Sequence, residues 1–178
     1  MTMTQTLIRP PKSMLEVWKS LPEGTLCQLI NNQLVMSPAL QNLHQVVIGE
    51  IYVEISLFLR KNKIGEIRIA PFDVHFSKEN ILQPDILFIK NENLNKIRSK
   101  GLFGSPDLVI EILSPSTSQL DYELKKSVYE RFGVQEYFIV DPNSKSVDSF
   151  FLNKGEYEEQ KSTSGEINST ILGRKISF

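Results

Sequence analysis

A chain of 178 residues holds one domain with a sizeable core and is too short for two comfortable ones. Hydrophobic residues at 40% and charged residues at 23% are ordinary globular values and exclude a largely disordered chain, while the single cysteine, Cys27, excludes an intramolecular disulfide and a cysteine-built zinc site. A net charge of −1 excludes nucleic-acid binding by bulk positive charge, so any such binding must rest on a local patch; it does not exclude a metal-dependent enzyme, whose site needs acidic residues of its own.

The first residues carry no long apolar run or cleavage pattern, and no stretch is long and apolar enough to span a bilayer, so a cytoplasmic protein with no membrane partner is expected. Residues 1–13 read as a loose arm ending at Pro10-Pro11, with a single domain over 14–178. A short helix is expected at 14–19, then a β-hairpin turning at Asn31-Asn32, because asparagine tolerates positive φ. Leu43, Val47, Ile51, Ile55 and Phe58 recur at helical spacing between about 40 and 61, and Gly65 is read as the stop of that helix. Three extended runs follow, at 66–77, 81–90 and 106–114, the last two with the branched-aliphatic composition of buried strands. The segment between the last two reads as a polar loop. A second helix is expected over 118–132, with Leu120, Leu124, Val128 and Phe132 inward and Gly133 as its C-terminal cap. A hairpin turning at 142–145, an edge strand near Tyr157 and a polar tail complete the chain. The order predicts an α/β fold, a central mixed sheet flanked by helices.

Asp85 and Glu111 are the residues that do not belong. Each interrupts an apolar strand, Pro84-Asp85-Ile86-Leu87-Phe88-Ile89 and Leu108-Val109-Ile110-Glu111-Ile112-Leu113. A buried carboxylate is costly unless it is paired or binds a cation. On neighbouring strands the two would repel and one pKa would rise, unless a divalent cation sat between them. Mg²⁺ suits such a site, since it takes one or two carboxylates, keeps several waters and accepts phosphate oxygens. The structural alternative is that both lie at strand ends or face solvent, since Val109, Glu111 and Leu113 share one face. Lys125 lies on the second helix with Asp121 four residues earlier, the favourable order for a solvated ion pair, which is the plainer reading when it is taken alone. Beside two carboxylates, a lysine can orient or deprotonate an attacking water and hold the scissile phosphate. Lys96, Arg98 and Lys100 form a small basic cluster, of the kind that is usually a solvated loop.

The run PDLVIEILSPSTSQLDYELKKSVYERFGVQEYFIVDP, with QLINNQLVMSPALQNLH and LQPDILFI upstream, resembles the Uma-two family of restriction endonucleases, within the PD-(D/E)XK nuclease superfamily, over roughly residues 14–160. The resemblance implies a restriction-endonuclease-like core with Pro84-Asp85 as the "PD" and Glu111 as the second acid. The superfamily's lysine would fall at position 113, where this sequence has Leu113; the family's lysine comes from the following helix, at the position of Lys125. Asp121 and His44 match common family positions, and Glu50 is similar to a helical glutamate that some superfamily members add to the metal site. His44 reads equally well as a hydrogen-bonded core histidine, Glu50 as a solvated residue, and Gln83, just before the PD, as a weak candidate for substrate contact.

Together these imply hydrolysis of DNA phosphodiesters at Asp85, Glu111 and Lys125, with Asp85 and Glu111 binding Mg²⁺ or Mn²⁺ in its place, and a homodimer to cut both strands. The rival is a catalytically idle nucleic-acid- or protein-binding module that keeps the fold. What separates them is whether Lys125 points at the two carboxylates. A lysine on a helix surface is also expected to tolerate alanine without loss of the fold.

Overall fold

The computed structural model describes residues 10–22, 24–36, 41–114 and 118–178, so most of the expected arm and most of the Ser-Pro-Ser-Thr run at 114–117 lie outside the described residues. Helix α1 (Met14–Ser20) starts where the Ser13 side chain accepts the Glu16 N–H. Strands β1 (Cys27–Ile30) and β2 (Gln33–Met36) form the expected hairpin, with φ of 48° and 62° at Asn31 and Asn32. Helix α2 (Asn42–Asn62) buries His44, Val47, Ile48, Ile51, Ile55 and Leu59. It ends at Lys63, in the left-handed region, and not at Gly65. Gly65 already belongs to β3 (Gly65–Ile69), and a Cβ there would lie 2.2 Å from the Ile89 carbonyl oxygen, so close strand packing is what requires glycine.

The first two extended runs are each split between two sheets. After β3 comes β4 (Val74–His75); after β5 (Ile81–Leu82) comes β6 (Ile86–Lys90). Pro71 and Pro84 fall at the breaks, where a residue without an N–H cannot continue a ladder. The expected polar loop is instead a 3-10 turn at Asn91–Lys96 and a small hairpin, β7 (Ile97–Arg98) and β8 (Gly101–Phe103). Its apolar residues, Leu94, Ile97 and Leu102, are too sparse to stand out in sequence but all pack on the core. Strand β9 (Leu108–Ile112) leads through a π-helical turn (Leu120–Lys125) into α3 (Lys126–Arg131), with Gly133 beyond it at φ 78°. Strands β10 (Glu136–Val140), β11 (Ser146–Asn153) and β12 (Glu156–Ser164) follow as an antiparallel meander.

The central sheet runs β12-β11-β10-β9-β6-β3, and a second sheet runs β2-β1-β5-β4-β8-β7. Among the described residues only β9 with β10, and β4 with β8, pair in parallel. One face of the central sheet packs Ile86, Phe88, Ile110, Phe138 and Val140 against α2. The other packs Leu87, Val109, Tyr137 and Ile139 against α3 and the second sheet. The tail is not a loose polar end: β13 (Glu166–Ser169) and β14 (Arg174–Ser177) form a hairpin whose Ile167, Leu172 and Ile176 join the α2-side core. Buried Glu136 fastens it, accepting from the Ser169 hydroxyl (2.5 Å) and from the backbone N–H groups of Thr170 (2.8 Å) and Ile171 (2.9 Å). Among the described residues no helix is long and apolar enough to cross a membrane.

Candidate active site

Strands β6 and β9 pair antiparallel with Ile86 opposite Ile110, so Asp85 stands opposite Glu111 at the end of the ladder. Opposed residues of an antiparallel pair point to one face, here the face of Leu87 and Val109 that looks towards α3. Both acids are buried, Glu111 to 1% exposure and Asp85 to 8%, so the solvent-facing alternative is removed. Asp85 Oδ2 accepts the Ile112 backbone N–H at 2.8 Å and lies 3.2 Å from His44 Nε2, while Oδ1 carries no hydrogen bond among the described residues. Glu111 Oε1 accepts the Tyr129 hydroxyl at 2.6 Å, and its Oε2 lies 2.9 Å from Lys125 Nζ.

Lys125 reaches Glu111 because the expected inward stripe holds at Leu120, Val128 and Phe132, which pack on the core, but breaks at Leu124. The expected inward stripe included Leu124, which is 42% exposed, whereas Asp121 and Lys125 are buried at 1% and 5%. The π-helical turn accommodates an extra residue, so an i, i+4 stripe drawn across it no longer follows one face. The Asp121–Lys125 pair, expected on the surface, is a buried bridge of 2.8 Å. Leu113 packs half-buried on the core, leaving the space beside Glu111 to Lys125. Lys126 points elsewhere, with its Nζ 4.0 Å from the centroid of the Phe150 ring.

The other candidates divide. His44 and Asp121 belong to the cluster. Glu50 does not: it is exposed and pairs with Lys145 at 3.3 Å on the surface. Gln83 does not touch the carboxylates either; its amide donates to Asp73 Oδ1 at 2.8 Å. Two residues escaped the sequence reading. Tyr129 holds Glu111, and Tyr137 donates its hydroxyl to the Asp121 carbonyl oxygen at 3.0 Å. Tyr129 lies four residues after Lys125, a spacing that could have placed it on the same side of the helix.

Electrostatics set the protonation states. Burial raises the Glu111 pKa; Lys125 pulls it down, Asp85 and Asp121 push it up, and the result is about 8. Burial alone would depress Lys125, but Glu111, Asp121 and Asp85 outweigh it and raise its pKa, so the ammonium persists. Burial, then the neighbouring Glu111, holds the Tyr129 hydroxyl well above its ordinary range and keeps it a donor. Lys125 thus pairs directly with two acids, Glu111 and Asp121, and Asp85 adds a third acidic group nearby without touching the ammonium. That excess of negative charge, with a carboxylate oxygen left unbonded on Asp85, suits a hard divalent cation. Among the described residues no group of three or more His, Cys, Asp or Glu is arranged to hold a metal, so a cation here would rest on Asp85 and Glu111 with waters completing its shell.

The raised Glu111 pKa has a measurable consequence in metal-free protein. Folded Glu111 keeps its proton up to about pH 8, whereas the unfolded chain releases it near 4.5. Folding then binds a proton across that window, so stability is full below pH 4.5 and falls as pH rises towards 8, by at most about 1.4 kcal/mol per unit. Denaturant titrations in EDTA should show this decline and should lose it in Glu111→Gln. An unchanged slope in that variant would assign the decline to other groups.

A family model named Uma2, described as a putative restriction endonuclease, matches residues 14–174. A solved structure of a putative nuclease of DUF820 from Anabaena variabilis shares the fold, with a TM-score of 0.70 and 22% identity over 84% of each chain. The type IIG restriction endonuclease BpuSI overlaps 63% of this chain but 11% of its own length, with a TM-score of 0.35 and 15% identity. No curated protein matches.

Proposed function

The chain belongs to the Uma2 family, and from that premise we propose that it hydrolyses phosphodiester bonds of DNA with the help of a divalent cation, Mg²⁺ or Mn²⁺, at Asp85, Glu111 and Lys125. The observation that carries the reading is the 2.9 Å approach of Lys125 Nζ to Glu111 Oε2, on the sheet face that Asp85 shares. An idle module would have no need of this arrangement, which puts a lysine and two acids at the end of one strand pair at a large desolvation cost.

The residues divide the work. Asp85 and Glu111 would hold the cation, which when bound supplies positive charge to phosphoryl oxygens and acidifies a water. The Ile112 N–H and His44 fix one oxygen of Asp85 and leave the other to the ligand. Tyr129 fixes Glu111. Lys125 spends two of its three N–H donors on Glu111 and Asp121, leaving one to orient the attacking water or a phosphate oxygen. In the metal-free protein the neighbouring carboxylates favour its charged form, which suits a donor to the water or phosphate. The direct test is incubation of supercoiled plasmid with the protein in Mg²⁺, Mn²⁺ or EDTA. Nicking that EDTA abolishes supports the reading; no nicking with any divalent metal favours the idle module.

The proposal extends to a cytoplasmic homodimer. Leu43, Val46, Val53 and Leu57 line an exposed stripe of α2, at 40%, 46%, 51% and 49% exposure, with the spacing of a helix–helix seam. Val53→Lys should convert a dimer to a monomer in analytical ultracentrifugation. A wild type that is monomeric at high concentration, or a dimer indifferent to this change, would rule out the seam.

A further inference from the structure

Apart from the acidic cluster, α1 and the second sheet enclose a cleft of about 810 Å³, within the size range of pockets that take small organic ligands. Its wall carries a fixed aromatic stack. His75 and Phe103 lie parallel within 4°, their centroids 4.2 Å apart, and Trp18 meets His75 edge-on at 5.7 Å. The rings are held without any ligand: Trp18 Nε1–H donates to the Cys27 carbonyl oxygen at 2.8 Å, and His75 Nε2 lies 3.2 Å from the Lys100 carbonyl oxygen. Phe103 is nonetheless 47% exposed, an apolar ring at the end of a stack with room beside it.

The polar lining is of two kinds. Lys19, Lys78 and Lys100 stand against a single described carboxylate, Asp73, so the lining is locally basic on a chain of net charge −1. Asp73 and Gln83 also line the cleft. Because the Gln83 amide donates to Asp73 Oδ1 at 2.8 Å, the pair has Gln83 Oε1 and Asp73 Oδ2 left over, both acceptors. Gln83 is two residues before Asp85 on the segment that crosses from β5 of the second sheet to β6 of the central sheet, so one short stretch of backbone links the cleft to the acidic cluster.

We propose that this cleft takes one unstacked nucleotide of a single-stranded stretch of substrate, its base on Phe103 and its flanking phosphates on Lys19, Lys78 and Lys100. Aromatic faces stack any base, and lysines supply the sequence-independent hold on the backbone. The acceptor pair of Gln83 and Asp73 reads hydrogen-bond donors, so it favours adenine, guanine or cytosine, whose exocyclic amino group offers two N–H donors, over thymine, whose one donor is its ring N3–H. This deepens the nuclease reading and rests on it for the word substrate, but the binding itself requires neither metal nor cleavage.

The test is fluorescence anisotropy with labelled single-stranded oligo-dA, oligo-dT and a duplex of equal length, in EDTA. The expected result is binding of single strands in preference to the duplex, with oligo-dA tighter than oligo-dT, and a loss of about tenfold or more in Phe103→Ala. Phe103→Leu, which keeps an apolar side chain and removes the stacking face, should lose nearly as much; this guards against a folding artefact in the alanine variant. A strand carrying 2-aminopurine should be quenched on binding to the wild type and not to Phe103→Leu. Absence of binding, equal binding in the Phe103 variants, or full displacement of the strand by dextran sulfate with no quenching would overturn the proposal. If binding follows this pattern but plasmid is never cut, the nuclease reading fails and the nucleotide cleft stands.

Discussion

Asp85→Asn is expected to reduce DNA cleavage by about a thousandfold or more and to remove Mg²⁺ binding measured by calorimetry in the presence of an uncleavable duplex. Asparagine keeps a carbonyl oxygen to accept the Ile112 N–H, so the strand pair should survive and the melting temperature should change little. What is lost is the charge that a hard cation needs. His44 reaches the same carboxylate at 3.2 Å without standing among the proposed ligands, so His44→Ala should cost less, about ten- to a hundredfold, through a misplaced Asp85. Equal cation binding by wild type and Asp85→Asn would remove Asp85 from the site. A His44 variant more damaged than the Asp85 variant would mean that the imidazole, and not the carboxylate, does the chemistry.

Lys125→Ala should lower cleavage by at least about a hundredfold, the scale of removing a preorganised donor from a developing charge. It should not leave the fold untouched, as a surface position would. Lys125 is 5% exposed and is the cation between Glu111 and Asp121, so alanine leaves the buried Asp121 carboxylate without its counter-charge at a cost of about 3–5 kcal/mol. Stability and catalysis can be separated by the double variant Lys125→Ala with Asp121→Asn, which should regain stability at neutral pH and remain inactive. Lys126→Ala is the control: it removes an amine from the Phe150 face, worth about 1 kcal/mol at most, and should cut normally. If Lys126→Ala were the inactive variant, the assignment of this helix would be wrong.

Much of the site was legible because its residues violate local rules. A carboxylate inside Ile86-Leu87-Phe88 or Val109-Ile110 territory stands out against the apolar pattern, and both such acids prove to be buried together. The same test missed Glu136, an equally buried acid at the start of its strand, whose hydrogen bonds tie down the β13–β14 hairpin. Acidity in a strand therefore marks a carboxylate that needs partners, and the partners decide whether it is structural. The second helix was misjudged for a related reason. Hydrophobic spacing assumes 3.6 residues per turn, and the π-helical turn breaks that count just where Asp121 and Lys125 turn inward. The split of the long strands into two sheets was signalled by Pro71 and Pro84, but which sheet each half joins depends on contacts far apart in the chain. The tail hairpin hides its three buried side chains, Ile167, Leu172 and Ile176, among polar neighbours.

The central claim is that Asp85 and Glu111 share a divalent cation within reach of Lys125. The measurement that meets it most directly is an anomalous difference map from a crystal soaked in Mn²⁺, collected at the manganese edge. The account predicts one strong peak between the Asp85 and Glu111 carboxylates, weakened or lost in crystals of Asp85→Asn. A map with no peak there at saturating Mn²⁺, with Lys125 still bridging Glu111 and Asp121, would contradict it.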